Sequence, residues 1–388
     1  MRCAWSLAHQ YLIVIVRRMS AELPLSRSFL CMFSIVAMLT VLLTVQGETI
    51  LAKELQIASP VASESKPAAS VIHASGPVSE ECKRIGNKLG SVTVEHCLGV
   101  GLTDTGARSV DGQAILIKEY PPLLERRKPI ARVLLIGGTH GDEYASVSVV
   151  FKWMQTLDKH HSGLFHWHVS PLVNPDGLLL HSPSIRLNAN GVDLNRNMPT
   201  PDWYKSTATY WHQTGKDPRR NPGSEPLSEP ESSWLYEEIR TFKPDAIISV
   251  HAPYGLLDYD GPPDAPRKIG YLHLKTLGAF PGSLGNSAGK QHEIPVITVE
   301  LPSAGSMPGE GDISNMWMDL VRWLRYNIPK DVTVKAYASF DTTSAGLMAS
   351  PRLSEAEAAA IAGMPIFSHQ SVSDQSDSMV NIEESVDQ

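Results

Sequence analysis

The sequence predicts a single α/β domain with a central mixed, largely parallel sheet flanked by helices. Three observations lead there. Short apolar runs alternate with helical patterns through the middle of the chain, the rhythm of strands joined by helices. Two of those runs, Arg132 to Ile136 ("RVLLI") and Ala246 to Val250 ("AIISV"), are nearly all apolar, as strands buried on both faces are. Polar residues with metal-binding or proton-transfer chemistry then stand at the mouths of such strands, His251 among them.

Taken in order, Ala114 to Lys118 ("AILIK") is the first strand of the main body and "RVLLI" the second, placed centrally. Asp142 to Leu157 is helical in pattern, with Val147, Val150, Phe151 and Met154 forming a buried stripe. His168 to Val173 is another short strand, ended by the turn signal Asn174-Pro-Asp-Gly177. Leu178 to Pro230 is long, polar and rich in Pro, Asn and Gly, and a loop of that size inside a domain is usually functional. A helix over Glu231 to Phe242, the strand "AIISV", a strand over Val296 to Leu301 and an amphipathic helix over Ile313 to Tyr326 complete the body.

The chain has 388 residues, 42% hydrophobic and 19% charged, which is ample for a globular core. Its net charge is -7, unevenly spread: the first 46 residues carry +3, leaving -10 for the rest, and the last 36 hold seven acids with no Lys or Arg. Nothing resembles the basic stripe of a nucleic-acid binder, so nucleic acid is excluded as a partner.

Residues 29 to 45 form a 17-residue stretch without a charge, preceded by arginines. This is the pattern of a signal-peptide core or a short membrane anchor, with the basic end kept in the cytoplasm. The expected organisation is therefore a leader or anchor over 1–52, with a possible membrane tether, and a flexible Ala/Ser/Pro-rich linker over 53–79. A small cysteine-bearing segment over 80–106, a catalytic body over 107–330 and an acidic, unstructured tail over 331–388 follow. Within the tail, Ser354 and Glu357 could cap one short helix. Export to the periplasm, free or anchored to the inner membrane, is the expected localisation. Cys82 and Cys97 are the only cysteines beyond the leader. In an exported chain they could form a disulfide worth roughly 3 kcal/mol, the alternative being two separate buried thiols.

The stretch Ile136 to Glu143, "IGGTHGDE", lacks the Gly-Lys-Ser/Thr ending of a phosphate loop and puts acids where phosphate would bind. As half of a metal site it makes sense, because His140 and Glu143, three apart at a helix start, can converge on one ion. A third ligand at another strand mouth fits His251, while His160, His161, His166 and His168 look like surface or edge residues. "RLNANGVDLNRN", Arg186 to Asn197, brings two arginines suited to gripping a carboxylate or an oxyanion. Glu300, late in the apolar "VITVELP", is a carboxylate whose burial needs a reason such as accepting a proton from an activated water.

Together "THGDE", "NPDG", "GVDLNRN", a strand-end His and "TVELP" resemble, in order, the zinc carboxypeptidase family, over roughly Ile115 to Tyr326. The resemblance implies one zinc per chain, held by His140, Glu143 and His251, with Asp193 orienting the His140 ring. It implies that Asn195 and Arg196 bind the substrate's terminal carboxylate and that Arg186 polarises the scissile carbonyl. Glu300 would be the general base for a water activated at the zinc, later passing its proton to the leaving amine. Within the family, "PGSLG…PVITVELP" is most like the murein peptide amidases, which cleave the γ-D-glutamyl–diaminopimelate bond of cell-wall peptides. One departure is that the family commonly carries a Tyr shortly before the glutamate strand, where this chain has Asn286 and Ser287. The competing expectations are an N-acyl amino-acid deacylase resembling aspartoacylase or succinylglutamate desuccinylase, and a non-catalytic envelope binding protein.

Overall fold

A seven-stranded sheet forms the centre of the computed structural model, which describes residues 76–328 and 351–367. In chain order the strands are β1 (Thr103–Arg108), β2 (Ala114–Tyr120), β3 (Ala131–Ile136), β4 (Phe165–Ser170), β5 (Ala246–His251) and β6 (Leu256–Asp260). After β7 (Lys268–Ile269) and β8 (Leu272–His273), which pair only with each other, β9 (Val296–Glu300) closes the series. The spatial order is β1-β2-β4-β3-β5-β9-β6. The inner strands β4, β3, β5 and β9 run parallel, and β1, β2 and β6 pair antiparallel at the two edges. The sheet is thus mixed, with helices on both faces.

The helices are α1 (Pro77–Lys88), α2 (Val94–Val100), α3 (Tyr144–His160), α4 (Pro175–Leu179), α5 (Trp203–Gln213), α6 (Pro230–Phe242), α7 (Glu310–Asn327) and α8 (Glu355–Ala362). Residues Val133 to Ile136 of β3 are completely buried, and their side chains alternate between two cores. Val133 and Leu135 join Val150, Trp153 and Met154 of α3. Leu134 and Ile136 join Leu235 and Ile239 of α6. A strand with helices on both faces has no solvent side, which is why its sequence shows no polar alternation.

Several boundaries differ from expectation. β4 begins three residues earlier than the apolar run suggests, because the alternation of buried Phe165, Trp167 and Val169 with His166 and His168 is the true strand pattern. Asn174-Pro-Asp-Gly177 opens α4 rather than a bare turn, with the Asn174 side chain accepting from the Gly177 N–H. The long polar segment contains α5, anchored by buried Trp203 and Thr207 but without a wide apolar stripe to announce it.

The cysteine-bearing segment is a layer of the main domain. Cys82 and Cys97 form a disulfide joining α1 to α2, and both lie in the same core as Val133 and Leu135. The expected boundary at 106/107 falls inside β1, whose pairing with β2 ties it to the sheet, and α1 starts at Pro77, inside the expected linker. Replacing both cysteines with serine is expected to cost about 3 kcal/mol of unfolding free energy from the closed loop, read by urea denaturation of the oxidised protein and the variant.

Residues 351–367 correct the expectation of an unstructured tail over that span. Ser354 and Glu357 form a reciprocal capping box at the start of α8. Ile361 is buried, His212 donates from Nε2 to the Met364 carbonyl at 2.9 Å, and Arg352 pairs with Glu225 at 2.8 Å. The cap and the alanine content favour a helix too short to persist alone, and these contacts fix it in place. The apolar run at 29–45 lies outside the described residues, and among those described no helix is long and apolar enough to cross a membrane.

Candidate active site

The strand order sets the site. β3, β5 and β9 are parallel neighbours, so their C-terminal ends meet at one edge of the sheet, where open α/β folds place their ligands. His140 follows β3, His251 ends β5 and Glu300 ends β9. His251 and Glu300 are register partners, so their side chains leave the sheet on the same face.

The glycines of "IGGTHGDE" let backbones cross here. Gly138 takes φ +60°, and a side chain on it would meet Leu172 and Val147. A Cβ on Gly141 would lie 2.1 Å from the carbonyl carbon of Gly177, so the turn after β3 sits directly on the "NPDG" segment. Asn174 donates to the Thr139 and Arg186 carbonyls, and the Gly141 N–H reaches the Arg186 carbonyl at 3.2 Å. These bonds knit the His140 turn to the loop segment carrying Arg186. Gly141→Ala is therefore expected to destabilise the protein by at least the ~1–3 kcal/mol typical of overpacking and to lower activity, measured by denaturant midpoint and turnover together.

Glu143 precedes α3 in a non-helical conformation, and its carboxylate serves the cluster instead of capping the helix. His140 Nδ1 lies 2.7 Å from Glu143 Oε1, and His251 Nδ1 lies 3.1 Å from Glu143 Oε2. The two Nδ1 atoms are 3.2 Å apart. All three residues are buried. On its other side His140 Nε2 meets Asp193 Oδ1 at 3.0 Å, the arrangement that would orient the ring for ligation through Nδ1.

Two imidazole nitrogens and a carboxylate converging out of water fit a zinc ion: the donor types are right, and their separations suit ligands of one tetrahedral centre. The electrostatics agree. Burial alone would raise the Glu143 carboxyl, but the two imidazoles beside it hold it well below the usual carboxylate range. Burial and Arg186 oppose a charged His140, yet Glu143 and Asp193 outweigh them and raise its pKa. The site is a sink for positive charge.

Arg186 donates to Asp193 Oδ2 from Nη2 at 3.1 Å and lies 3.4 Å from Glu143 Oε1 through Nη1. Asp193, fully buried, is held ionised by Arg186 and His140 against the cost of burial. It also accepts from the Asn195 N–H at 3.0 Å, so one carboxylate links His140, Arg186 and the "LNRN" turn. Asn195 Oδ1 takes the Leu284 N–H at 2.9 Å. The Arg196 guanidinium is buried over the Phe280 ring (4.6 Å to its centre), with Tyr210 beyond at 5.4 Å, and its Nε has no hydrogen-bond partner among the described residues.

Burial pushes the Glu300 carboxyl up to about 7, with Glu143 acting in the same direction and His251 against it. One oxygen, Oε2, is buried with no partner among the described residues. The structure thus brings His140, Glu143, His251, Asp193, Arg186 and Glu300 into one cluster and joins Asn195 and Arg196 to it through Asp193. At Asn286 and Ser287, where the family commonly carries a Tyr, a π-helical turn (Gly285–Gln291) buries Ser287, and Asn286 pins the loop by donating to the Ala279 and Phe280 carbonyls.

Sequence reasoning missed Tyr210 and Phe280, which flank Arg196, and the Asp142–Arg219 pair at 3.0 Å beside the turn. None of these carried a local signal. They come from elements whose approach depends on the tertiary fold.

The zinc carboxypeptidase family model matches residues 99–262. Murein peptide amidase A of Escherichia coli (strain K12) is 32% identical over 198 residues, spanning 49% of this chain and 79% of that protein. The murein peptide amidase A of Vibrio campbellii is 32% identical over 203 residues, spanning 50% and 77%. Among solved structures, murein-tripeptide amidase MpaA from Escherichia coli O157 aligns over 60% of this chain and 94% of its own, at 28% identity and a TM-score of 0.42. With this likeness to relatives covered over most of their length, the chain is a hydrolase that belongs to the zinc carboxypeptidase family.

Proposed function

We propose that this hydrolase is a cell-wall peptide amidase that cleaves the γ-D-glutamyl–diaminopimelate bond, using one zinc held by His140, Glu143 and His251. The observation carrying this reading is the buried convergence of those three donors beside Glu300 and Arg186, at the strand ends of a chain similar to murein peptide amidases. When bound, zinc supplies Lewis-acid polarisation and a lowered pKa for water.

The chain's own groups do the rest. Glu300, with a carboxyl poised near neutrality and an oxygen unpartnered among the described residues, takes a proton from the attacking water and hands it to the departing amine. Arg186, aimed into the cluster by Asp193, turns its Nη1 toward the oxyanion that develops at the scissile carbonyl. Asn195 and Arg196 receive the carboxylate of the leaving residue. The buried guanidinium rests on Phe280 and donates through Nη1 to the Asn195 carbonyl, while its Nε–H, unpartnered among the described residues, suits an anion. Asp193 fixes the tautomer of His140 and the direction of Arg186 at once.

The basic-flanked apolar run at 29–45 supports export, which would bring the enzyme to a periplasmic substrate. Cell fractionation is expected to recover the protein outside the cytoplasm, and a wholly cytoplasmic pool contradicts that placement. The reaction is tested by comparing kcat/KM on an L-Ala-γ-D-Glu-diaminopimelate tripeptide with kcat/KM on N-acetylaspartate and N-succinylglutamate. The tripeptide is expected to be preferred by at least the ~10²-fold that a matched charged pocket provides. Preference for the acyl amino acids assigns the chain to deacylation instead.

A further inference from the structure

We propose that Glu119, His166 and His168 form a second divalent-metal site, separate from the His140 cluster, for a borderline cation such as Zn2+. The strand pattern assembles it. His166 and His168 are two apart on β4 and so share a face. Glu119 is the register partner of His168 on the antiparallel neighbour β2, which brings its carboxylate to the same patch. His166 lies opposite Arg132 at the start of β3, whereas the His140 cluster follows that strand's far end.

The donor atoms of these three residues all lie within 4.8 Å of one another. His166 Nε2 is 2.8 Å from Glu119 Oε1. His168 Nδ1 contacts Glu238 Oε1 of α6 at 2.5 Å, the arrangement in which a carboxylate orients a ligating imidazole through its other nitrogen. Phe242, one turn further along α6, holds both rings. His168 stacks on it at 3.6 Å and 9°, and His166 meets it edge-on at 5.0 Å and 88°. Such rings lose little freedom on binding an ion, and that preorganisation separates this patch from chance neighbours on a surface.

Charge is also suitable. Glu119 and Glu238 offset a dication, and Arg132, the register partner of His166, is drawn to Asp245 at 3.8 Å. The Glu119 side chain is 54% exposed, leaving an entry path and an open position for water. The mechanism above makes no use of any of these residues.

The test is equilibrium dialysis of the chelator-stripped full chain against micromolar Zn2+, followed by metal analysis. Wild-type protein is expected to hold about two ions, and the His166→Gln/His168→Gln double variant about one, with peptide hydrolysis unchanged, as three-donor zinc sites require. His140→Ala is expected to keep the second ion while losing the first. Glu119→Gln, at a half-exposed side chain, is expected to weaken the second equivalent about tenfold or more. Saturation of the wild type at one ion overturns the proposal, as does a second equivalent that persists in the double variant or appears only at millimolar zinc.

Discussion

Glu300→Gln is expected to lower kcat by about 10²–10⁴-fold, while the zinc held by His140, Glu143 and His251 is retained. The substitution keeps the size and shape of the side chain at the end of β9 and removes only its ability to take up a proton. Glu300 is buried beside His251, its register partner, with one oxygen unpartnered among the described residues and its carboxyl raised to about 7. A group in that state accepts a proton from water and releases it again at little cost. None of the three donors that converge around Glu143 belongs to Glu300, so the ion has no reason to leave. Metal analysis alongside turnover separates the two effects. Retained turnover removes Glu300 from proton transfer, and loss of zinc with loss of turnover makes it a ligand.

The second large effect is expected from His140→Ala, which should empty the zinc site and abolish hydrolysis together. His140 is bonded both to Glu143, through Nδ1 at 2.7 Å, and to Asp193, through Nε2 at 3.0 Å. Its loss removes one of three donors and also leaves Asp193 buried with one partner fewer, while Arg186 loses part of what aims it. Leaving a buried charge short of partners costs several kcal/mol, so thermal stability falls as well. Inductively coupled plasma analysis of dialysed protein checks the metal, and full occupancy in the variant removes His140 from the ligand set.

Much of this site was legible because it stands at the ends of strands that declare themselves. "RVLLI" and "AIISV" have no solvent face, so their apolar runs mark central strands, and the polar residues just beyond them must lie at the sheet's C-terminal edge. His140, Glu143, His251 and Glu300 are all placed that way. The family pattern then carried Asp193, Asn195, Arg196 and Arg186, whose positions relative to the strands no periodicity specifies. What escaped was tertiary. α5 lacks an apolar stripe because it is held by Trp203 and by the docking of residues 351–367, not by a broad buried face. The register of β4 was misplaced because its outward positions are histidines that pack on Phe242, a contact supplied by a helix some seventy residues later. The roles of Phe280 and Tyr210 around Arg196 depend on loops brought together only by the finished fold.

The most direct test of the account is mass spectrometry of cell-wall peptides incubated with the zinc-loaded protein lacking its first 52 residues. The account predicts release of free diaminopimelate from the L-Ala-γ-D-Glu-diaminopimelate tripeptide, leaving the L-Ala-D-Glu dipeptide, and no such release by the Glu300→Gln variant. An intact tripeptide, or cleavage between L-Ala and D-Glu, contradicts it.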